Sequence, residues 1–347
     1  MWVAGTARRV ASLVLLLALL AAGVLTANAR LRHPAGPPRL TLAAAPAASC
    51  RVPAANAAPV STSPVQANKS SREITYGTDG GQRLFGIISE PDVGGTNRPA
   101  VLLVHGGAWV HGAPIELAAA SRALTAAGFV TFNINYRLAT AQRSGFPYEL
   151  QDVQQAVRYL RAHARALGID ARRIGALGSS AGGNLVTLLA TSGKGSCLTG
   201  DRVAAVAAWS PPIDVSSYGK FADKHCAKDL LRCPWLVQES VHYLGCRYHA
   251  CAQRWQQASV ERYASADDPP TLVFNSSHEL ISLSQVHALR QALDRRHVPN
   301  QLIVIPGQRH ATGNQSVALP LTISFFQRYL QPAPTSATGY AAGQVAQ

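Results

Sequence analysis

Between about residues 72 and 331, short apolar runs alternate with segments of helical period, and this alternation predicts an α/β fold with a mainly parallel sheet and helices on both faces. The interval 211–270 breaks the rhythm. It is too long for a simple helical crossover and holds four of the six cysteines, which predicts a disulfide-stapled cap insertion over the strand ends. No internal repeat appears, and a 47% apolar fraction is ample for one core.

The expected elements follow in order. Residues 100–104, 130–134, 174–177, 203–209, 271–274 and 302–305 are apolar runs of strand length, read as buried strands. Residues 116–127, 148–167, 181–191, 283–297 and 316–330 carry the helical period and supply the crossovers that parallel neighbours require. Residues 74–76 and 84–89 predict an antiparallel edge.

The ends of the chain read differently. Arg8 and Arg9 precede an unbroken apolar run at 10–25, and Ala27-Asn28-Ala29 follows as a cleavage signature, so residues 1–29 are expected to be a signal peptide. An uncleaved anchor is the alternative, since 10–29 approaches the length of a membrane span. The paired arginines hint at the twin-arginine export route. Residues 30–71, rich in Ala, Pro and Ser, read as a disordered linker, and 332–347 as a disordered tail. The protein is therefore expected to be secreted or associated with the cell envelope.

Composition narrows the partners. Lys and Arg number 32 against 18 Asp and Glu, a net charge of +14. The cations are spread along the chain and not interleaved with aromatics, which argues against nucleic acid and fits loose association with an anionic cell envelope. An even number of cysteines in an exported chain predicts disulfides. Cys226 with Cys233, and Cys246 with Cys251, are close in sequence, which would leave Cys50 and Cys197, but spacing does not fix connectivity. The same stretch carries His225, His242 and His249, so a zinc site is the rival reading, although no C-x2-C spacing is present.

The chemistry centres on Gly178-Ser179-Ser180-Ala181-Gly182. A serine hydroxyl needs a base to take its proton and a backbone that makes it protrude, and a G-x-S-x-G turn between a strand and a helix provides the second. Ser180 is the expected nucleophile. An acyl-transfer transition state also needs backbone amides aimed at its oxyanion. His105-Gly106-Gly107-Ala108-Trp109, just after the first buried strand, is expected to form that hole, with the amides of Gly107, Ala108 and Ala181 as donors and Gly106 in the same turn. The base should come last in chain order, and His310, after the strand at 302–305, meets that requirement. The acid should follow the strand at 271–274, where Glu279 can serve. Asp214 is a second candidate, and a site without an effective acid is a third reading.

These residues resemble the α/β-hydrolase superfamily, in particular bacterial esterases and lipases related to hormone-sensitive lipase, feruloyl-esterase-like and kynurenine-formamidase-like proteins. The similarity covers about residues 73–330. It rests on His105 to Trp109, on Asn135-Tyr136-Arg137-Leu138 followed by Phe146-Pro147, and on Ser180-Ala181-Gly182-Gly183-Asn184. Asp152 matches a family carboxylate in the helix after Phe-Pro, for which a structural role is expected. Two departures stand out. Ala108 replaces a glycine of the oxyanion segment. The acid loop is one residue short, so that counting from Pro269-Pro270 places the acid at Glu279, whereas counting from Ser284-Gln285 places it at His278.

The resemblance implies a serine hydrolase acting on small-molecule or lipid-like esters, without metal or organic cofactor. An amidase, formamidase or acyltransferase would use the same site, and a catalytically weakened binding protein would keep only the fold.

Overall fold

The computed structural model describes Cys50 and residues 70–92 and 95–331. The expected leader (1–29), most of the linker and the tail (332–347) lie outside the described residues.

Eight strands form one sheet: β1 (Ser70–Asp79), β2 (Gln82–Glu90), β3 (Arg98–Val104), β4 (Val130–Ile134), β5 (Ile169–Ser179), β6 (Ala205–Trp209), β7 (Thr271–Ser276) and β8 (Asn300–Ile305). Their order is β1-β2-β4-β3-β5-β6-β7-β8. The pairs β1-β2 and β2-β4 are antiparallel and all others parallel. This is the expected α/β-hydrolase architecture, with an antiparallel edge longer than its apolar residues announced.

The helices are α1 (Ala118–Ala126), α2 (Tyr148–Ala162), α3 (Ala181–Ser192), α4 (Val215–His225), α5 (Trp235–Leu244), α6 (Tyr248–Gln257), α7 (Leu283–Asp294) and α8 (Gln315–Leu330). Alternate residues of β3 divide between two cores, as strand pleating dictates. Val101 and Leu103 pack with Leu124 of α1 and Phe326 of α8, whereas Leu102 and Val104 pack with Val153 of α2, Leu185 of α3 and Val286 of α7. Parallel strands all begin at one end of the sheet, here called its base, and finish at the other, its crown.

Residues 211–270 form the insertion. They contain α4, α5 and α6, with Cys226–Cys233 joining the end of α4 to the approach to α5 and Cys246–Cys251 bracketing the start of α6. The third bridge is Cys50–Cys197. All four cysteines of the stretch are thereby taken, which removes the thiolates on which the rival zinc reading depended.

One buried ion pair ties the crown together. Arg137 donates to Asp152 through Nε at 2.9 Å and Nη2 at 2.6 Å, and its backbone N–H adds a bond of 2.8 Å. Asp152 is fully buried, so the pair joins the loop after β4 to α2. Asp79 also reaches Arg137, at 2.7 Å. Removing one partner of a buried pair strands the other charge. Asp152→Ala should therefore lower stability by about 3 kcal/mol in urea unfolding, a loss at the low end for such pairs because Asp79 stays with Arg137.

Candidate active site

Ser180 stands where β5 gives way to α3, with φ 52° and ψ −116°. A side-chain-bearing residue stays in that region only when its surroundings hold it. The Ser180 N–H donates to the Trp209 carbonyl of β6 at 2.7 Å, and the Ser180 carbonyl accepts from Asn184 N at 3.0 Å. Gly178 and Gly182 approach other backbone too closely for any Cβ, the first against the Gly182 carbonyl and the second against the carbonyls of Val104 and His105. The turn is thus clamped between β3 and β6.

The oxyanion segment leaves β3 beside it. A Cβ on Gly106 would lie 3.0 Å from the Ser179 carbonyl and 3.2 Å from Ser180 Cβ, so this glycine contributes by letting the loop come close. The Gly107 carbonyl accepts from Val110 and His111 at 3.0 and 3.1 Å, and Ala108 and Trp109 take positive φ of 48° and 65°. Among the described residues, the amides of Gly107 and Ala108 donate to no backbone carbonyl. Ala181, first residue of α3, has no intrahelical acceptor for its amide, and the helix adds the positive end of its dipole. Below the loop, buried His105 stacks on Tyr136 at 4.3 Å, and its Nδ1–H donates to the Gly106 carbonyl at 2.7 Å. Burial holds this imidazole below its usual pKa and so favours the neutral ring.

His310 and Glu279 arrive from the loops after β8 and β7. His310 Nε2 lies 2.8 Å from Ser180 Oγ, and His310 Nδ1 is hydrogen-bonded to Glu279 Oε2. With Nδ1–H donating to the carboxylate, Nε2 is left to accept from the serine. The Glu279 side chain is fully buried, and that of His310 is 29% exposed. Glu279 Oε1 accepts from Ser276 N and from Ser210 Oγ, each at 2.7 Å, and Ser210 Oγ in turn accepts from Ala311 N at 2.9 Å.

Asp214, the rival acid, and His278, the residue of the other counting, stand elsewhere. Asp214 caps α4, accepting from Ser217 N at 3.2 Å. His278 is exposed, with its ring 2.9 Å from Ser277 Oγ. Glu279 thus occupies the place beside His310 that the reading without an acid left empty. Counting from the prolines gives the residue that contacts His310.

Ser210 escaped the sequence reading. Its position directly after a buried strand, at the crown, was the one signal available for it.

The pattern that defines the BD-FAE family matches residues 88–293, more than half of the chain. The chain belongs to the BD-FAE family. It is similar to an esterase, LipC, of Mycobacterium tuberculosis, with 36% identity over 118 residues covering 34% of this chain and 28% of that protein. It is also similar to an ethyl acetate hydrolase of Pseudomonas putida, with 31% identity over 230 residues covering 61% and 65%. The chain thus spans between about a quarter and two thirds of these relatives' length. Among solved structures, a truncated carbohydrate esterase from gut microbiota superposes with a TM-score of 0.62 at 21% identity, over 75% of this chain and 96% of that one. Thermogutta terrifontis esterase 2 does so with 0.60 at 18%, over 76% and 96%. At these identities the superpositions speak for the fold.

In this BD-FAE family member the insertion packs against the oxyanion segment. Tyr243 of α5 stacks on Trp109 at 4.4 Å, and its carbonyl accepts from Gly145 and Phe146 at 2.9 and 3.0 Å. Beside it lies Glu149 of α2, fully buried, with neither carboxyl oxygen hydrogen-bonded; the nearby Ala139 amide is committed to the Trp109 carbonyl at 2.9 Å. Burial pushes the Glu149 pKa well above the usual range and so favours the neutral acid. The sign follows from linkage. The unfolded chain ionises this group near pH 4.3, so its effect on stability is most favourable below that pH and is lost as pH rises through the folded value. Glu149→Gln should therefore be more stable than wild type at pH 7.5, with the difference vanishing near pH 4 in paired denaturation curves.

Proposed function

We propose that the protein is an exported carboxylic ester hydrolase that works through an acyl-enzyme on Ser180. The observation that carries this reading is the continuous contact from Ser180 Oγ through His310 to a buried Glu279, beside a loop whose Gly107 and Ala108 amides have no backbone acceptor among the described residues. The esterase names among the relatives support it.

Each group has a role set by its chemistry. Ser180 Oγ attacks the ester carbonyl while His310 Nε2 takes its proton, and the tetrahedral oxyanion draws on the amides of Gly107, Ala108 and Ala181. His310 returns the proton to the leaving alkoxide, so that the alcohol departs and Ser180 holds the acyl group. Water then attacks with His310 again as base, releasing the carboxylic acid. Glu279 keeps the imidazole in its Nδ1–H tautomer and stabilises the imidazolium between the two transfers. Small-molecule or lipid-like esters fit this chemistry. Trp235 of α5, 47% exposed and with its ring 5.9 Å from that of His111, is placed to flank the bound substrate. Export is supported by the leader pattern and by three disulfides, which persist in an oxidising compartment.

A fluorophosphonate probe should label the wild type and leave Ser180→Ala unlabelled; absent or unchanged labelling would sink the reading. On a p-nitrophenyl ester, Glu279→Ala should lose about 10⁴-fold in kcat, on the scale of a disabled triad carboxylate. Asp214→Ala should stay within about tenfold of wild type, since Asp214 serves as a helix cap. The reverse order would move the acid to Asp214.

A further inference from the structure

The candidate catalytic groups all stand at the crown of the sheet. The base is different. Arg165 lies between α2 and β5, Arg172 near the start of β5, Lys194 just after α3, and Arg295 and Arg296 between α7 and β8. All five are exposed. Their neighbours Arg158, Arg173 and Arg290 are paired with Asp201, Asp170 and Asp294, whereas these five enter no ion pair among the described residues.

Cys50 lies at the same end. Cys50 is bonded to Cys197 in the loop between α3 and β6, with Cα atoms 5.4 Å apart. Buried Arg161 fixes that loop. Its Nε donates to the Cys197 carbonyl at 2.8 Å, and its Nη1 and Nη2 donate to the carbonyls of Gly200 and Arg202. The attachment point therefore follows the C-terminus of α3, while Ser180 caps its N-terminus. Twelve residues of helix separate them, about 18 Å. Between the expected leader and Cys50 the sequence has Arg30, Arg32 and Arg39 and no Asp or Glu.

We propose that the base of the sheet docks on an anionic lipid surface, with Cys50 and the loop of Cys197 on the side that faces it and the crown turned away from it. Charge complementarity and the position of Cys50, which follows a cationic stretch of sequence, carry the assignment. A cation close to such a surface contributes about fivefold in affinity, and the effect fades within a Debye length, so the cations count only when the base faces the lipid. The docking rests on the placement of charge and is independent of the ester-hydrolase reading.

The test is co-sedimentation of the chain without the expected leader, beginning at Arg30, with vesicles of phosphatidylglycerol and phosphatidylcholine, and with phosphatidylcholine alone. Binding should need the anionic lipid and weaken as salt rises. Reversal at the base, Arg165→Glu with Arg172→Glu, Arg295→Glu and Arg296→Glu, should cut affinity on the order of a hundredfold or more. Reversal on the insertion, Lys224→Glu with Lys228→Glu, should change it less than about fivefold. Circular dichroism and melting curves identify any variant that fails to fold, and for such a variant the two pairs of substitutions are made separately.

A base-reversed protein that binds as wild type would overturn the proposal, because the cations at the base would then contribute nothing. Equal losses from both reversals would overturn it as well. Fluorophosphonate should react with Ser180 as fast on vesicles as in solution, and slower reaction on vesicles would overturn the orientation. A chain that the probe labels in neither state counts against the hydrolase reading, while sedimentation still decides the docking.

Discussion

The turn at Ser180 is the constraint on which the site depends. A residue at φ 52° with a Cβ is held there by the Trp209 carbonyl on one side and by glycines packed against β3 backbone on the other. That clamp exists because β5 lies between β3 and β6 in a parallel sheet, so all three strands finish together at the crown. Any shift in strand order would separate the serine from the loop that faces it. The sheet is therefore the device that converts three distant pieces of sequence into one cleft.

The second half of the site follows the same rule. β7 and β8 are neighbours, and the loops after them are joined by Ser277 N to the Ile305 carbonyl and His278 N to the Gly307 carbonyl, both at 2.9 Å. Glu279 and His310 meet as a consequence. Ser210, from the end of β6, closes the gap by binding the Glu279 carboxylate and the amide of Ala311 at once. A buried hydroxyl thus adds a further tie between the loops of Glu279 and His310, and a buried network of this kind holds only when each member is satisfied.

Much of this was legible because it is local. The apolar runs at 100–104 and 130–134 coincide with the bounds of their parallel pairing, and a turn pattern and chain order single out Ser180 and His310, which the structure brings together. The end of α2 was not legible. It stops at Ala162, short of the expected 167, and the chain turns at Gly168, whose φ of 62° suits glycine. Glu279 was one of several candidates because a loop one residue short gives two countings, and only the neighbouring strand shows which side chain meets the histidine. Ser210, the Trp109–Tyr243 stack and the Cys50–Cys197 bridge join residues far apart in sequence, and no periodicity announces such contacts.

The central claim, that Ser180 carries the acyl group, can be tested without interpreting any rate. The protein is quenched in acid during turnover of a chromogenic acetate ester, digested and analysed by mass spectrometry. The account predicts an acetyl group, at most one per chain, on the peptide that contains Ser180, present in wild type and absent from Ser180→Ala. An acetyl group trapped on another residue during turnover, or ester turnover undiminished in Ser180→Ala, would contradict it.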